Sequence, residues 1–406
     1  MRTSDIRGIA QLATQGLVGV ASIAEGMHQS VWRTLGVAGR GPQQTGGLTG
    51  RIYQGVRGGA QLLGQGLDSV LAGLQRRSSN SGDDTGTPQR DAMLAALNGV
   101  MGDRLAASGN PLASTMSLRH QGQAMDVLAL PAGLHPTGKV LLLVHGLCMN
   151  DLQWQPQPQD GDAQQCDHGQ ALADALGYTP LYLRYNSGLH VSHNGRQLAL
   201  LLEQLAAHWP VPLDHLSIIG HSMGGLLARS AVAFAQANGH HWQQQLKHLV
   251  FLGTPHHGAP LERAGSWLDL LLGSNRWSAP FARLGQLRSA GITDLRYGHV
   301  QDADWQGLGN RFRPHADQRQ PLPLPSHVAC YAVAATLAAR RGSLADRLAG
   351  DGLVPLRSAL GQHEAAQHRL KFAKDRQWIG FRLGHIGLLH SPDVTRQLLD
   401  WMSPAP

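Results

Sequence analysis

The stretch Leu216-Ser217-Ile218-Ile219-Gly220-His221-Ser222-Met223-Gly224-Gly225 joins a short apolar run to the start of a helical pattern, and its reading decides the fold. The run ends at Gly220, and the residues from Gly225 to Ala237 read as a helix. A serine on so sharp a strand-to-helix turn must take strained dihedrals. Glycines two residues to either side of it remove side chains that would collide with neighbouring elements. Such a turn lifts the hydroxyl above a sheet edge and sets it at the positive end of a helix dipole, which favours developing negative charge. Ser222 is therefore the candidate nucleophile.

Outward from this stretch the chain alternates short apolar runs with helical segments. The runs are Lys139 to His145, Pro180 to Tyr185, Leu216 to Gly220, His248 to Leu252 and His327 to Val333. The helical candidates between them are Gly169 to Leu176, Gly195 to His208 and Gly225 to Ala237. This rhythm predicts an α/β fold, a mainly parallel central sheet flanked by helices. Met116 to Arg119 and Met125 to Leu130 flank a Gln-Gly turn and predict an antiparallel opening, while Gln377 to Phe381 reads as the last strand.

Two regions stand outside the rhythm. In residues 1–75, Leu12, Val20, Ile23, Met27 and Val31, and then Val56, Ala60, Leu63, Leu67, Val70 and Leu74, recur at helical spacing with glycines between them. This reads as a helical N-terminal extension, docked on the enzyme or serving as a peripheral membrane contact. Residues 76–90 (RRSSNSGDDTGTPQR) have almost no apolar content and read as a linker, so that residues 91–406 form the catalytic domain. Within it, residues from about 255 to 324 carry an apolar helix candidate (Trp267 to Leu272), Trp277 and a Pro-rich exit, as expected of a cap or lid over the sheet edge.

Composition narrows the class. Of 406 residues, 42% are hydrophobic and 15% charged, with 50 glycines, which fits a globular enzyme rich in tight turns better than a disordered or coiled-coil protein. The formal charge of +7 is spread along the chain without a dense basic run, so nucleic acid is not an expected partner. Cys148, Cys166 and Cys330 are far apart and show no disulfide or metal pattern. No signal-peptide core and no spanning apolar segment is evident, and the expected location is cytoplasmic, with peripheral membrane association through the N-terminal helices as an option.

The remaining chemistry follows from the candidate nucleophile. Its oxyanion would be met by the backbone N–H of Met223 and by that of Leu147, in the His145-Gly146-Leu147 loop after the first central strand. Later in the chain an acid and then a histidine are needed, each on a loop after a strand. Asp351, in Ala-Gly-Asp-Gly-Leu-Val-Pro, fits the first role better than Asp294, Asp302 or Asp346; His385, in Leu-Gly-His-Ile-Gly, fits the second better than His390. His385 would take the Ser222 proton while Asp351 fixes its tautomer, and an acyl-enzyme would form and hydrolyse. His145, Trp154, His221, His256 and Trp267 are candidates to line the substrate pocket. The pairs His240-His241 and His256-His257 lack metal-ligand spacing, so neither a metal nor a cofactor is expected.

Taken together, VHGLCMND, GHSMGGLLARS, FLGTPHHGAPLER and GDGLVP resemble bacterial lipase- and esterase-like α/β-hydrolases, including the branch similar to GPI inositol-deacylases. The resemblance runs from about Val140 to Ser391 and implies hydrolysis of carboxylic esters, lipid-like ones included. It implies the same triad of Ser222, Asp351 and His385 and the same oxyanion donors, Leu147 and Met223. An acyltransferase or thioesterase on this triad, and a non-catalytic scaffold binding a partner or membrane, are the alternatives.

Overall fold

The computed structural model describes residues 4–12, 87–156, 165–259, 289–308, 317–340 and 350–403, with positions 14, 25, 51, 54 and 58. The chain divides into two compact units, Met1–Thr85 with Leu105–Ala113, and Gly86–Arg104 with Ser114–Pro406. In the first unit residues 4–12 are helical, and the Gly8 carbonyl accepts a hydrogen bond from Asn110 Nδ2 at 3.0 Å. Most of the predicted N-terminal helices and linker lie outside the described residues.

The second unit is built on eight strands: β1 (Ser117–His120), β2 (Gln123–Met125), β3 (Lys139–Val144), β4 (Thr179–Arg184), β5 (His215–His221), β6 (Leu246–Leu252), β7 (Ala329–Thr336) and β8 (Gln377–Phe381). They form one sheet in the order β2-β1-β4-β3-β5-β6-β7-β8. β1 is antiparallel to both its neighbours, and every pair from β4 to β8 is parallel. The second opening strand, Gln123–Met125, lies earlier than the predicted Met125 to Leu130 and shares only Met125 with it, because beyond Met125 the chain turns through an isolated bridge between Asp126 and Ala129.

The longer helices among the described residues are α1 (Pro88–Ala107), α2 (His168–Leu176), α3 (Val191–His208), α4 (Met223–Asn238), α5 (Ala290–Tyr297) and α6 (Pro392–Met402). Alternation along the strands divides the core. Val140, Leu142 and Val144 of β3 pack with Leu198, Leu202, Leu227 and Ala231 of α3 and α4 on one face. Leu141 and Leu143 pack with Leu172 of α2 and Val394 and Leu398 of α6 on the other. Period-2 burial on both faces explains why these strands read as continuous apolar runs in the sequence. α1 was not anticipated; it contributes Ala96 and Val100 to the α3–α4 face and is kinked at Met101 (φ −142°).

This is the α/β-hydrolase fold: a mostly parallel sheet with helices on both faces, and the β5–α4 turn at its carboxyl edge. The stretch from 255 to 324, where a cap is expected, is described only at 255–259, 289–308 and 317–324, and 289–308 carries α5.

Candidate active site

Ser222 sits between β5 and α4 at φ 54°, ψ −122°, a left-handed conformation that a non-glycine residue adopts only when its surroundings enforce it. Its N–H donates to the Leu252 carbonyl at 2.8 Å, which ties the turn to the end of β6. The turn is close-packed against its neighbours. A Cβ at Gly224 would run into the Val144 and His145 carbonyls, and one at Gly220 would lie 2.6 Å from Gly225 Cα. Met223 is the first residue of α4, so its N–H is among the donors that the helix leaves without an internal acceptor.

The loop after β3 reaches the same place. A Cβ at Gly146 would lie 3.1 Å from Ser222 Cβ and 3.2 Å from His221 Nδ1, so this backbone passes close to the serine with little room for a side chain. Leu147 is buried beside it, and Cys148, at φ 60°, is anchored by its N–H to Ser187 Oγ at 3.1 Å. Burial pushes the Cys148 thiol up to about 12, so it stays protonated at neutral pH.

Asp351 and His385 face each other at 2.7 Å between Oδ2 and Nδ1, both 2% exposed. The other carboxylate oxygen accepts the N–H groups of Leu353 (2.9 Å) and Val354 (2.7 Å), and His385 N–H donates to the Asp351 carbonyl at 3.0 Å. With Nδ1–H given to the carboxylate, His385 presents its Nε2 lone pair. Gly253, at φ 58° after β6, makes room for the pair: a Cβ there would lie 3.2 Å from Asp351 Oδ2 and from His385 Cε1. Since Leu252 holds Ser222 and Gly253 abuts the dyad, the end of β6 links the serine to the Asp–His pair.

Buried neutral histidines support the loop that carries His385. His221 Nε2–H donates to the His385 carbonyl at 3.1 Å with the ring centroids 4.7 Å apart, and burial holds His221 well below its ordinary pKa. His168 bonds both Leu388 O (2.9 Å) and Thr395 Oγ1 (2.8 Å), joining α2 to the turn after His385 and to α6. Burial lowers it to about 4. No sequence pattern pointed to His168, whose partners are more than two hundred residues away in the chain.

The other sequence candidates fall in different places. His145 is buried, lowered to about 3 by burial, stacked on Tyr185 at 4.3 Å and bonded through Nδ1 to Gly146 O. Trp154 is fully buried, its ring edge-on to both His168 and His221 at 6.4 Å. His256 is buried against Phe251 and Phe372, on the α4 side of the sheet. Trp267, Trp277 and Asp346 lie outside the described residues. Of the rival groups, Asp294 binds His190 and His299, Asp302 pairs with Arg196 at 3.0 Å, and the His390 carbonyl accepts from Cys166 N–H. Among the described residues no group of three or more His, Cys, Asp or Glu could hold a metal ion, and no helix is long and apolar enough to cross a membrane.

The fold is that of the α/β-hydrolases. Residues 135–320 match the family model of the PGAP1-like alpha/beta domain. No curated protein matches the chain. Among solved structures it is similar to the mature lipase BlEst2 of Bacillus licheniformis, at 19% identity and a TM-score of 0.41 over 71% of this chain and 97% of that one. It is also similar to a lipase-esterase related protein from Clostridium acetobutylicum, at 12% identity and a TM-score of 0.36 over 71% of this chain and 100% of that one.

Proposed function

We propose that the chain is a carboxylic ester hydrolase acting through an acyl-enzyme, with Ser222 as nucleophile, His385 as general base and acid, and Asp351 holding the imidazole. The observation that carries this reading is the 2.7 Å Asp351–His385 bond at the sheet edge that also carries Ser222 on its strained turn. His385 Nε2 takes the Ser222 proton as Oγ attacks the ester carbonyl. Negative charge on the carbonyl oxygen is met by the N–H groups of Met223 and Leu147, the first of them reinforced by the α4 dipole. The protonated His385 gives its proton to the leaving alcohol, and water repeats the sequence on the acyl-enzyme.

The favoured substrates are esters of apolar acyl chains, lipid-like ones included, with the segment that holds Trp267 as the proposed cover for the acyl chain. The test is hydrolysis of p-nitrophenyl esters of increasing chain length by the wild type and Ser222→Ala. Turnover that rises with chain length and is lost by at least about 10³-fold in Ser222→Ala is expected. Equal turnover by both proteins would contradict the assignment of Ser222.

A further inference from the structure

The peptide unit between Gly146 and Leu147 carries the N–H proposed to meet the oxyanion from the β3 side. That N–H gives no hydrogen bond among the described residues, although Leu147 is buried. The carbonyl of the same unit, by contrast, is held: it faces Nδ1 of His145 at 2.8 Å. A carbonyl oxygen only accepts, so Nδ1 carries the proton, and burial, which lowers His145 to about 3, keeps the ring neutral. The unit is trans, so its C=O and N–H point in opposite directions. The bond that fixes the Gly146 carbonyl therefore also fixes the direction of the Leu147 N–H.

The peptide units on either side are fixed as well. The His145 carbonyl accepts from the Tyr185 hydroxyl at 2.9 Å, and the Cys148 N–H donates to Ser187 Oγ at 3.1 Å. Both partners follow β4, which runs parallel to β3 and pairs Leu183 with Val144, so the exit of one strand braces the exit of the other. Tyr185 also stacks its ring on His145, with centroids 4.3 Å and planes 19° apart. One residue thus holds both the imidazole and the carbonyl beside it.

Packing alone gives no reason for a histidine here. The ring is fully buried, and its Nε2 has no partner among the described residues, so its hydrogen bonding is confined to the Gly146 carbonyl. An apolar side chain of similar size would fill the space without the cost of a buried lone pair left unsatisfied.

We propose that His145 and Tyr185 are positioning residues for the oxyanion. His145 turns the Gly146–Leu147 peptide so that the Leu147 N–H faces the developing charge, and Tyr185 keeps His145 in that pose. The inference rests on the proposed ester hydrolysis and deepens it, by naming the side chains that preset one of the two oxyanion donors.

The full-length wild type, His145→Leu, His145→Asn and Tyr185→Phe are compared on p-nitrophenyl butyrate. Each is also titrated with an alkyl trifluoromethyl ketone, which adds to a reactive serine as a tetrahedral oxyanion. Leucine removes the donor, whereas the asparagine amide nitrogen stands one bond from Cγ, as Nδ1 does. His145→Leu should lower kcat by about 10- to 100-fold with KM within about two-fold, and weaken the ketone by a similar factor. His145→Asn should recover most of both losses. Tyr185→Phe keeps the stacked ring without its hydroxyl and should fall between. Should His145→Leu fail to fold by circular dichroism, Tyr185→Phe decides, through parallel losses in kcat and ketone affinity. A merely structural role would lower the melting temperature without this split between kcat and KM and without rescue by asparagine; that result would overturn the proposal. Folded wild type that neither hydrolyses the ester nor binds the ketone would remove the esterase reading, and this inference with it. An active wild type beside an equally active His145→Leu would remove the inference alone.

Discussion

His385 is fixed in one tautomer by a carboxylate that is itself fixed. Asp351 spends one oxygen on two backbone N–H groups and the other on Nδ1, so it can neither rotate away nor accept a second proton donor without loss. Asp351→Asn keeps the shape but offers an amide where the imidazole needs an acceptor. Steady-state kinetics should show kcat lower by about 10³- to 10⁴-fold with the melting temperature nearly unchanged. Gly146 is crowded: a Cβ would sit 3.1 Å from Ser222 Cβ, and a branched side chain would press further on the turn. Gly146→Val should lower kcat by about 10²- to 10³-fold, more than it raises KM, because it displaces the proposed oxyanion donors rather than the substrate. At this scale the sequence was most informative where function is local. The strand, turn and helix around Ser222 could be read from ten consecutive residues, whereas His168 carries its meaning only through Leu388 and Thr395, at the far end of the chain.

Among the elements, α1 shows what sequence pattern misses. It is buried over most of its circumference from Ala95 to Val100, so it has no polar stripe to set against an apolar one, and the periodicity that marks other helices is weak. Its Gly99 lies against Cys148, where an added Cβ would stand 2.8 Å from Cys148 Cα, and the Gly99 carbonyl accepts from Ser289 Oγ at the head of α5. α1 thus braces the loop that holds Leu147. Gly99→Val should cost about 1–3 kcal/mol in denaturant unfolding and lower kcat in the surviving folded protein, since overpacking here pushes directly on that loop. The central strands were legible for the opposite reason. Buried on both faces, they carry uninterrupted apolar runs, and the differences in their bounds come from polar ends such as His215 and His221 that the ladder includes but an apolar window does not.

Over the whole second unit, Asp294 joins the segment 289–308 to the sheet's helices. It is fully buried, accepting from His190 Nδ1 at 3.0 Å, His299 Nδ1 at 3.2 Å and Val191 N–H at 2.7 Å, so α5 is clamped onto the start of α3. Burial alone would raise its carboxyl, but the hydrogen bonds from His190 and His299 outweigh this and hold it below its ordinary value. A carboxyl with a depressed folded pKa contributes stability that is complete above its unfolded pKa, about 4, and is lost as the pH falls through the lower folded value. Thermal melts should therefore show stability falling below about pH 4, with a shallower acid dependence in Asp294→Asn. That variant should also be less stable at pH 7 by about 2–4 kcal/mol. In the sequence Asp294 was a rival for the catalytic acid, and nothing local could distinguish a carboxylate that clamps two helices from one that orients a base.

If Ser222 is a nucleophile activated by His385, as proposed, a mechanism-based probe reads it without a guess at the substrate. The intact chain and its His385→Ala variant are treated with a fluorophosphonate and digested, and the modified peptide is identified by mass spectrometry. One stoichiometric adduct on Ser222 is expected in the wild type, with labelling slowed by at least about 10³-fold in the variant. Folded wild-type protein that takes no label on Ser222, or that labels equally fast without His385, would contradict the proposal.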